Sequence, residues 1–331
     1  MSAEKAWIHT LNDDELRELE RAAQQCLANV DDISKIRRQD FSLPMLGPRL
    51  RRIHDTLIDG IGFALLRALP VSTWSKSVTA AVFFGIGQHL GYARPQNARG
   101  HVLGHVIDMG LRADDPNVRI YQTHARQTFH TDSSDIVGLV CLQQARQGGD
   151  SALVSSNTIY NEMKRDHPDL VTALFDPIAT DRRGEVAPGQ KPFFEIPVFT
   201  WHHGMMSTIY QRQYIDSAQR FDEAMRLTSR HVEALDCFDA LANDPRLNFL
   251  MRLEAGDMQF VHNHTLLHDR TAFEDWAEPT RKRHLLRLWL SSPDARPLPP
   301  IWAQRYGTVE PGLRGGVTIP EEAWHAPLDP V

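Results

Sequence analysis

A histidine and an aspartate one residue apart, in His130-Thr131-Asp132, offer the chain's first recognisable metal chemistry. In an extended strand, positions i and i+2 point to one face, so this imidazole and this carboxylate can bind one ion side by side. A second imidazole from elsewhere completes a two-histidine, one-carboxylate face. That arrangement leaves three positions on iron(II) open for an oxoacid and dioxygen. The spacing alone is not rare, and a second His-x-Asp stands at His167-Pro168-Asp169. There Pro168 suits the first turn of a helix, and His167 reads as a structural residue at a helix start.

Three histidines compete to supply the second imidazole, in the run His262-Asn263-His264-Thr265-Leu266-Leu267-His268-Asp269-Arg270. His262 and His264 alternate along a strand and share a face, and His268 follows at its end; each also fits a polar strand-end role. A carboxylate clamp is the remaining element. Arg283, Leu285 and Arg287 fall on one face of the strand RHLLRLWL, with Leu286 and Leu288 on the other. An arginine among apolar neighbours is costly unless it meets an anion, whether a bound carboxylate or an acid of the chain itself. A planar guanidinium binds a carboxylate through two parallel hydrogen bonds.

These residues need elements to carry them. Leu16, Leu19, Ala23 and Leu27 recur at helical spacing, predicting a helix over 13–29 capped by Asn12 or Asp13. Further helices are predicted over 47–58, 72–90, 157–175 and 214–242. Strands are predicted over 62–66, 119–122, 135–142, 151–155, 258–264 and 283–290, the run DIVGLVCL being apolar enough to be buried on both faces. The Pro/Gly-containing stretch 181–204 reads as a lid or insert. Helices around short strands far apart in sequence predict an α+β fold with a β-sandwich or barrel core.

The 331 residues suit a single elaborated domain, helical over about 1–90 and with a helical insert over about 157–250. A net charge of -6 with scattered Lys and Arg gives no reason to expect nucleic acid or an anionic membrane as partner. No apolar run reaches the length of a membrane span and the N-terminus lacks a signal-like core, so a cytoplasmic protein is expected. Three separated cysteines fit a reducing compartment. A small-molecule substrate is expected, and the sequence leaves room for a homo-oligomer.

Three stretches, FHTDSSDIVGLVCLQQARQGGDS, GDMQFVHNHTLLHDRTAF and RKRHLLRLWL, together resemble the taurine dioxygenase and clavaminate synthase group of iron(II)- and 2-oxoglutarate-dependent oxygenases. The resemblance implies a double-stranded β-helix, or jelly roll. It implies that His130, Asp132 and His268 bind iron(II), leaving His262 and His264 in supporting roles. It further implies that Arg283, helped by the Ser151 hydroxyl, holds the far carboxylate of 2-oxoglutarate, and that Arg287 contacts the co-substrate or an anionic substrate. The interval from His268 to Arg283 is longer than in taurine dioxygenase, so Arg281 competes for the clamp. The resemblance also implies dioxygen as the oxidant, with succinate and carbon dioxide released. A carboxylate at 132 points to hydroxylation or desaturation, not halogenation. Candidate pocket residues are Gln122, Arg287 and the 181–214 segment, which includes Trp201, His202, His203 and Tyr210. Two other readings exist: a cupin-type metal enzyme using His262, His264 and His268, and a non-catalytic jelly-roll binding module.

Overall fold

The computed structural model describes residues 6–115, 118–187 and 189–330, and in it two facing sheets lie between two helical layers. A short strand β1 (Ile8–Thr10) leads to helix α1 (Asp13–Leu27). Asn12 starts α1 for a local reason. Its side chain accepts the Glu15 N–H at 3.0 Å while the Glu15 carboxylate accepts the Asn12 N–H at 3.0 Å, which satisfies two otherwise orphaned donors. Helix α2 (Gly47–Ile58), strand β2 (Phe63–Arg67) and helix α3 (Lys76–Leu90) follow. Leu19, Leu50, Phe83 and Ile86 of these helices pack against Leu286, Leu288 and Leu290 on the outer face of the larger sheet.

The chain then lays down β3 (Tyr92–Ala93), β4 (Gly104–Ile107), β5 (Gln127–His130), β6 (Ile136–Gln143), β7 (Gln147–Gly148) and β8 (Ser151–Ser155). Residues 119–122, expected to be a strand, instead form one 3-10 turn closed by the Thr123 N–H on the Ile120 carbonyl.

An insert comes next: α4 (Ser156–Asp166), α5 (Pro168–Ala173), β9 (Ile178–Asp181), β10 (Phe193–Ile196), β11 (Phe199–His202), β12 (Met205–Thr208), α6 (Arg212–Ala218) and α7 (Ser229–Ala242). It is mixed rather than helical. The 181–204 stretch contributes to two hairpins, β9 with β10 and β11 with β12. The single helix expected over 214–242 is two, because Thr228 caps α7 and Phe221 turns aside to stack on Phe193, with centroids 5.7 Å apart. His167 ends α4 and precedes Pro168, as expected of a structural residue. Helices α4, α5 and α7 cover the smaller sheet through Ile159, Val171, Leu235 and Phe238.

The last strands are β13 (Asn248–Met251), β14 (Met258–His262), β15 (Leu266–Arg270), β16 (Phe273–Glu274) and β17 (His284–Ser291), and a short helix α8 (Ala303–Tyr306) lies beyond them. The larger sheet runs β1-β2-β14-β6-β17-β3, with β4 also on β17, and the smaller runs β13-β8-β15-β5. Between them Val137, Leu153, Val261, Leu285 and Trp289 form a shared core. The alternation read from RHLLRLWL holds: Leu285 and Trp289 face inward, while Leu286 and Leu288 face the helices. Among the described residues no helix is long and apolar enough to cross a membrane.

Candidate metal centre

His130 ends β5 and His268 lies in the middle of β15, and the two are direct partners in the antiparallel register. A bulge prepares this pairing. Between the pairs His268↔His130 and Arg270↔Gln127, β5 advances three residues while β15 advances two. Such an extra residue re-aims a side chain, here that of His130, near the sheet's end. Beyond the strand, the Asp132 N–H donates to the Asn263 carboxamide oxygen at 3.1 Å, and the Asn263 side chain also donates to Ser134 Oγ at 3.0 Å. The 263–265 turn thus holds the loop that carries the carboxylate.

Ligand-capable atoms of His130, Asp132 and His268 all lie within 4.8 Å of one another, and all three residues are buried. His130 Nε2 is 3.9 Å from Asp132 Oδ1, and His268 Nε2 is 3.7 Å from Asp132 Oδ2. His130 Nδ1 donates to the Thr128 carbonyl at 2.8 Å, which fixes the tautomer and leaves the Nε2 lone pair available, with the Gln127 side-chain amide 2.9 Å from it. Burial lowers the pKa of both imidazoles, and the adjacent His130 helps push His268 down to about 3. Both are therefore neutral at neutral pH, the form that binds a metal. Burial works to raise the Asp132 pKa. Arg287 outweighs it, with a hydrogen bond from Trp289 Nε1 at 2.7 Å, and keeps the acid ionised. Two neutral imidazoles and one ionised carboxylate suit iron(II), with one side left open.

Two cavities meet at this triad. One lies between the sheets and is lined by His130, His268, Ser151, Arg270, Arg283 and Arg287, among others. Arg283 is buried, its Nη2 donates to the Gly149 carbonyl at 3.2 Å, and its Nη1 has no partner. Burial lowers its pKa to about 10, consistent with a cation held away from water and short of a matching anion. Gly149 makes room for it: φ there is +74°, and a Cβ would stand 2.7 Å from Arg283 Nε. Ser151 Oγ lies across the same space, donating to Gln259 Oε1 at 3.1 Å. Arg281, the rival clamp, is exposed and packs on Trp276 with its guanidinium 3.6 Å from the ring centre.

The other cavity opens toward the insert. His130, Asp132, Tyr210, Gln211, Arg119 and Arg305 are among its walls. The insert is fastened to the metal-bearing loop, since the Thr131 N–H donates to the Tyr210 carbonyl at 2.9 Å and the Tyr210 N–H donates to Thr131 Oγ1 at 3.0 Å. Of the pocket candidates in the 181–214 segment, Tyr210 lines this cavity, whereas Trp201 is exposed and neither His202 nor His203 reaches it. Gln122 lines a separate surface groove.

Arg287 pairs with an acid of the chain itself. It borders both cavities, but the anion it meets is Asp132 Oδ2, 3.3 Å from Nη1, and its Nε donates to Gln96 at 2.7 Å. Its guanidinium also lies over Tyr121 and Trp289. The sequence shows which face Arg287 takes but not which acid waits there. Arg270 was missed as a cavity residue, although its i+2 spacing from His268 places both on one face of β15. His262 and His264 stand apart from the triad. His262 Nδ1 contacts Thr265 Oγ1 at 2.9 Å, and His264 Nε2 meets Asp135 at 2.8 Å. Asp135 is also bound by the fully buried Arg314 at 2.8 Å. Among the described residues, His130, Asp132 and His268 form the one group of three or more with metal-binding geometry, so the cupin set of His262, His264 and His268 is not assembled.

A family model described as "Taurine catabolism dioxygenase TauD, TfdA family" matches residues 29–289, a stretch containing every triad residue and Arg283. The chain is 31% identical over 299 residues to FR-33289 synthase of Streptomyces rubellomurinus (strain ATCC 31215), covering 88% of this chain and 87% of that one. It is 30% identical over 185 residues to a uridine-5'-phosphate dioxygenase of an Amycolatopsis species, covering 53% and 65%. Among solved structures, an asparagine oxygenase in complex with Fe(II), 2S,3S-3-hydroxyasparagine and succinate superposes with a TM-score of 0.67 at 17% identity, covering 86% of this chain and 93% of that one. The non-heme iron oxygenase OrfP in complex with Fe and alpha-ketoglutaric acid superposes at 0.64 and 13% identity, covering 86% and 93%. At those identities the likeness is one of fold.

Proposed function

The chain belongs to the taurine catabolism dioxygenase TauD, TfdA family of iron(II)- and 2-oxoglutarate-dependent oxidoreductases, and on that premise we propose that it hydroxylates, or desaturates, an unactivated C–H bond of a small anionic substrate, releasing succinate and carbon dioxide. His130, Asp132 and His268 are the iron ligands in this reading, and Arg283 with Ser151 holds the far carboxylate of 2-oxoglutarate. The observation that carries it is the placement of the triad between two cavities, with His130 lining both, Asp132 the insert-side one and His268 the one between the sheets, which also contains a buried arginine with an unpartnered Nη1.

When bound, the iron and its oxoacid supply the oxidising power; the protein supplies position and exclusion. Arg283 and Ser151 hold one end of the co-substrate while its oxoacid end faces the triad. Arg287 and Trp289 keep Asp132 ionised and aimed, and Arg287 spans both chambers with its charge already shared. The insert-side cavity takes the substrate, and Tyr210 with Gln211 closes it from the loop side. Two sheets ordered β4-β17-β6-β14 and β5-β15-β8-β13, with the chain crossing between them, support a double-stranded β-helix. We read the chain as one catalytic domain, and its three free cysteines support a reducing, cytoplasmic setting. The test is His130→Ala. Iron uptake and substrate-dependent succinate formation should both disappear, and normal activity with iron retained would refute the assignment.

A further inference from the structure

Three arginines close the insert-side cavity, and of them only Arg182 falls within a stretch, 181–214, that the sequence offers as pocket lining. Arg119, from the 3-10 turn, Arg182, just after β9, and Arg305, on α8, all line the space that also contains His130 and Asp132. Arg182 and Arg305 share one aromatic ring, their guanidiniums 5.4 and 5.9 Å from the centre of Phe194. All are largely withdrawn from water: Arg182 is 6% exposed and Arg305 8%. Arg305 lies beyond residue 289, where the stretch matched by the family model ends.

Their counter-charge falls short. Arg119 has Glu185 at 3.8 Å, and its Nε is buried without a partner. Among the described residues no carboxylate lies within 4.0 Å of Arg182 or Arg305, whose polar contacts go to the carbonyls of Lys191, Gln304 and Gly316. The cavity's two acids are committed elsewhere, Asp132 to Arg287 and Asp181 to Arg220 at 2.7 Å. Three guanidiniums against one glutamate leave an excess of positive charge on the walls of this cavity, an arrangement that costs free energy until an anion enters. Burial and the two neighbouring arginines lower the Arg305 pKa to about 10.

We propose that Arg119, Arg182 and Arg305 form the recognition subsite for a tetrahedral dianion, a phosphonate or phosphate monoester, carried by the substrate. Guanidiniums approaching from three segments fit the several oxygens of such a group better than the single plane of a carboxylate. The excess of positive charge matches a dianion rather than a monoanion. With the dianion fixed at this end of the cavity, the rest of a short substrate extends toward the triad. The inference rests on the oxygenase reading only in taking this cavity as the substrate chamber.

Titration calorimetry on the full chain in iron-free buffer tests it, with methylphosphonate at a pH where it is a dianion and methanesulfonate as a monoanion of the same shape. Methylphosphonate should bind at least about tenfold more tightly, and Arg305→Met or Arg182→Met should each weaken it by about tenfold or more. Arg305→Lys, which keeps the charge but loses the fork, should fall between, and a retained melting transition checks that each variant folds. Equal affinity for the two anions, no binding by the wild type, or binding unchanged in the folded variants would overturn the proposal. Iron and 2-oxoglutarate binding, measured separately, distinguishes the two readings. Their absence beside intact methylphosphonate binding sinks the oxygenase assignment and leaves the anion subsite standing.

Discussion

His130 and His268 face each other across neighbouring strands with ring centroids 4.1 Å apart, and register pairing fixes that distance. Because hydrogen-bonded backbone sets the separation, the pair is preorganised before any ion arrives. The groups around it carry the predictions below.

Trp289 and Arg287 both reach Asp132 Oδ2. Outer partners that orient a ligand are worth about 10- to 100-fold in metal affinity. Trp289→Phe removes the donated hydrogen bond and part of a buried ring, with Trp289→Leu as a packing control, and Arg287→Met also removes the charge that holds the Asp132 pKa down. Anaerobic iron titration should show weakening in this range for each, larger for Arg287→Met.

Arg283 and Arg281 are two residues apart and should behave oppositely. Loss of a hydrogen bond to a charged group costs about 1.5–3 kcal/mol, equivalent to roughly 10- to 150-fold in affinity. Arg283→Met should raise the KM for 2-oxoglutarate by that factor with iron affinity intact, and Arg281→Met should leave it unchanged. Steady-state kinetics with varied 2-oxoglutarate decides between them.

Gly149→Ala acts on the same arginine from the other side. The added Cβ meets Arg283 Nε at 2.7 Å, at a position whose φ of +74° costs an alanine about 1–2 kcal/mol. The expected result is weaker 2-oxoglutarate binding, a lower melting temperature by a few degrees, and unaltered iron binding. An affinity equal to wild type would show that the arginine has slack.

Buried neutral histidines make the fold acid-sensitive. Burial is the largest cause lowering His101, His264 and His284 to about 4 and His268 to about 3. Their unfolded values lie near 6.5, so between the two values the unfolded chain binds more protons than the folded one. Stability should therefore fall as pH drops from about 6.5 toward 4 and be level for these groups above 7. Thermal melts of metal-free protein across that interval measure it, and a constant melting temperature would contradict the burial of these rings.

The candidate metal face was legible in part: the His130-x-Asp132 spacing marked two of its residues, although β5 ends at His130 and Asp132 follows on a loop held by Asn263 instead of on an extended strand. Spacing left His262, His264 and His268 open and the resemblance implied His268; the register of β15 on β5, a long-range fact that spacing does not encode, sets it opposite His130. The α+β reading and the inward face of RHLLRLWL likewise follow from periodicity. The break between α6 and α7 escaped because Phe221 leaves the helical path to stack on Phe193 in another hairpin, so tertiary packing overrides local propensity there. The grouping of Arg119, Arg182 and Arg305 escaped for a similar reason. They come from a turn, a strand end and a short C-terminal helix, and only folding brings them to one space.

Arg314 is fully buried and grips Asp135, three residues past the metal-site acid, from a position beyond the last strand. The loop of Asp132 is thus buckled shut by the tail of the polypeptide. Loss of the segment beyond α8 would strip the buried Asp135 carboxylate of its Arg314 partner and free Ser133 of Gly316, loosening the loop of Asp132 at a cost in stability. An inert preparation should therefore be checked for a missing C-terminus before its iron is blamed.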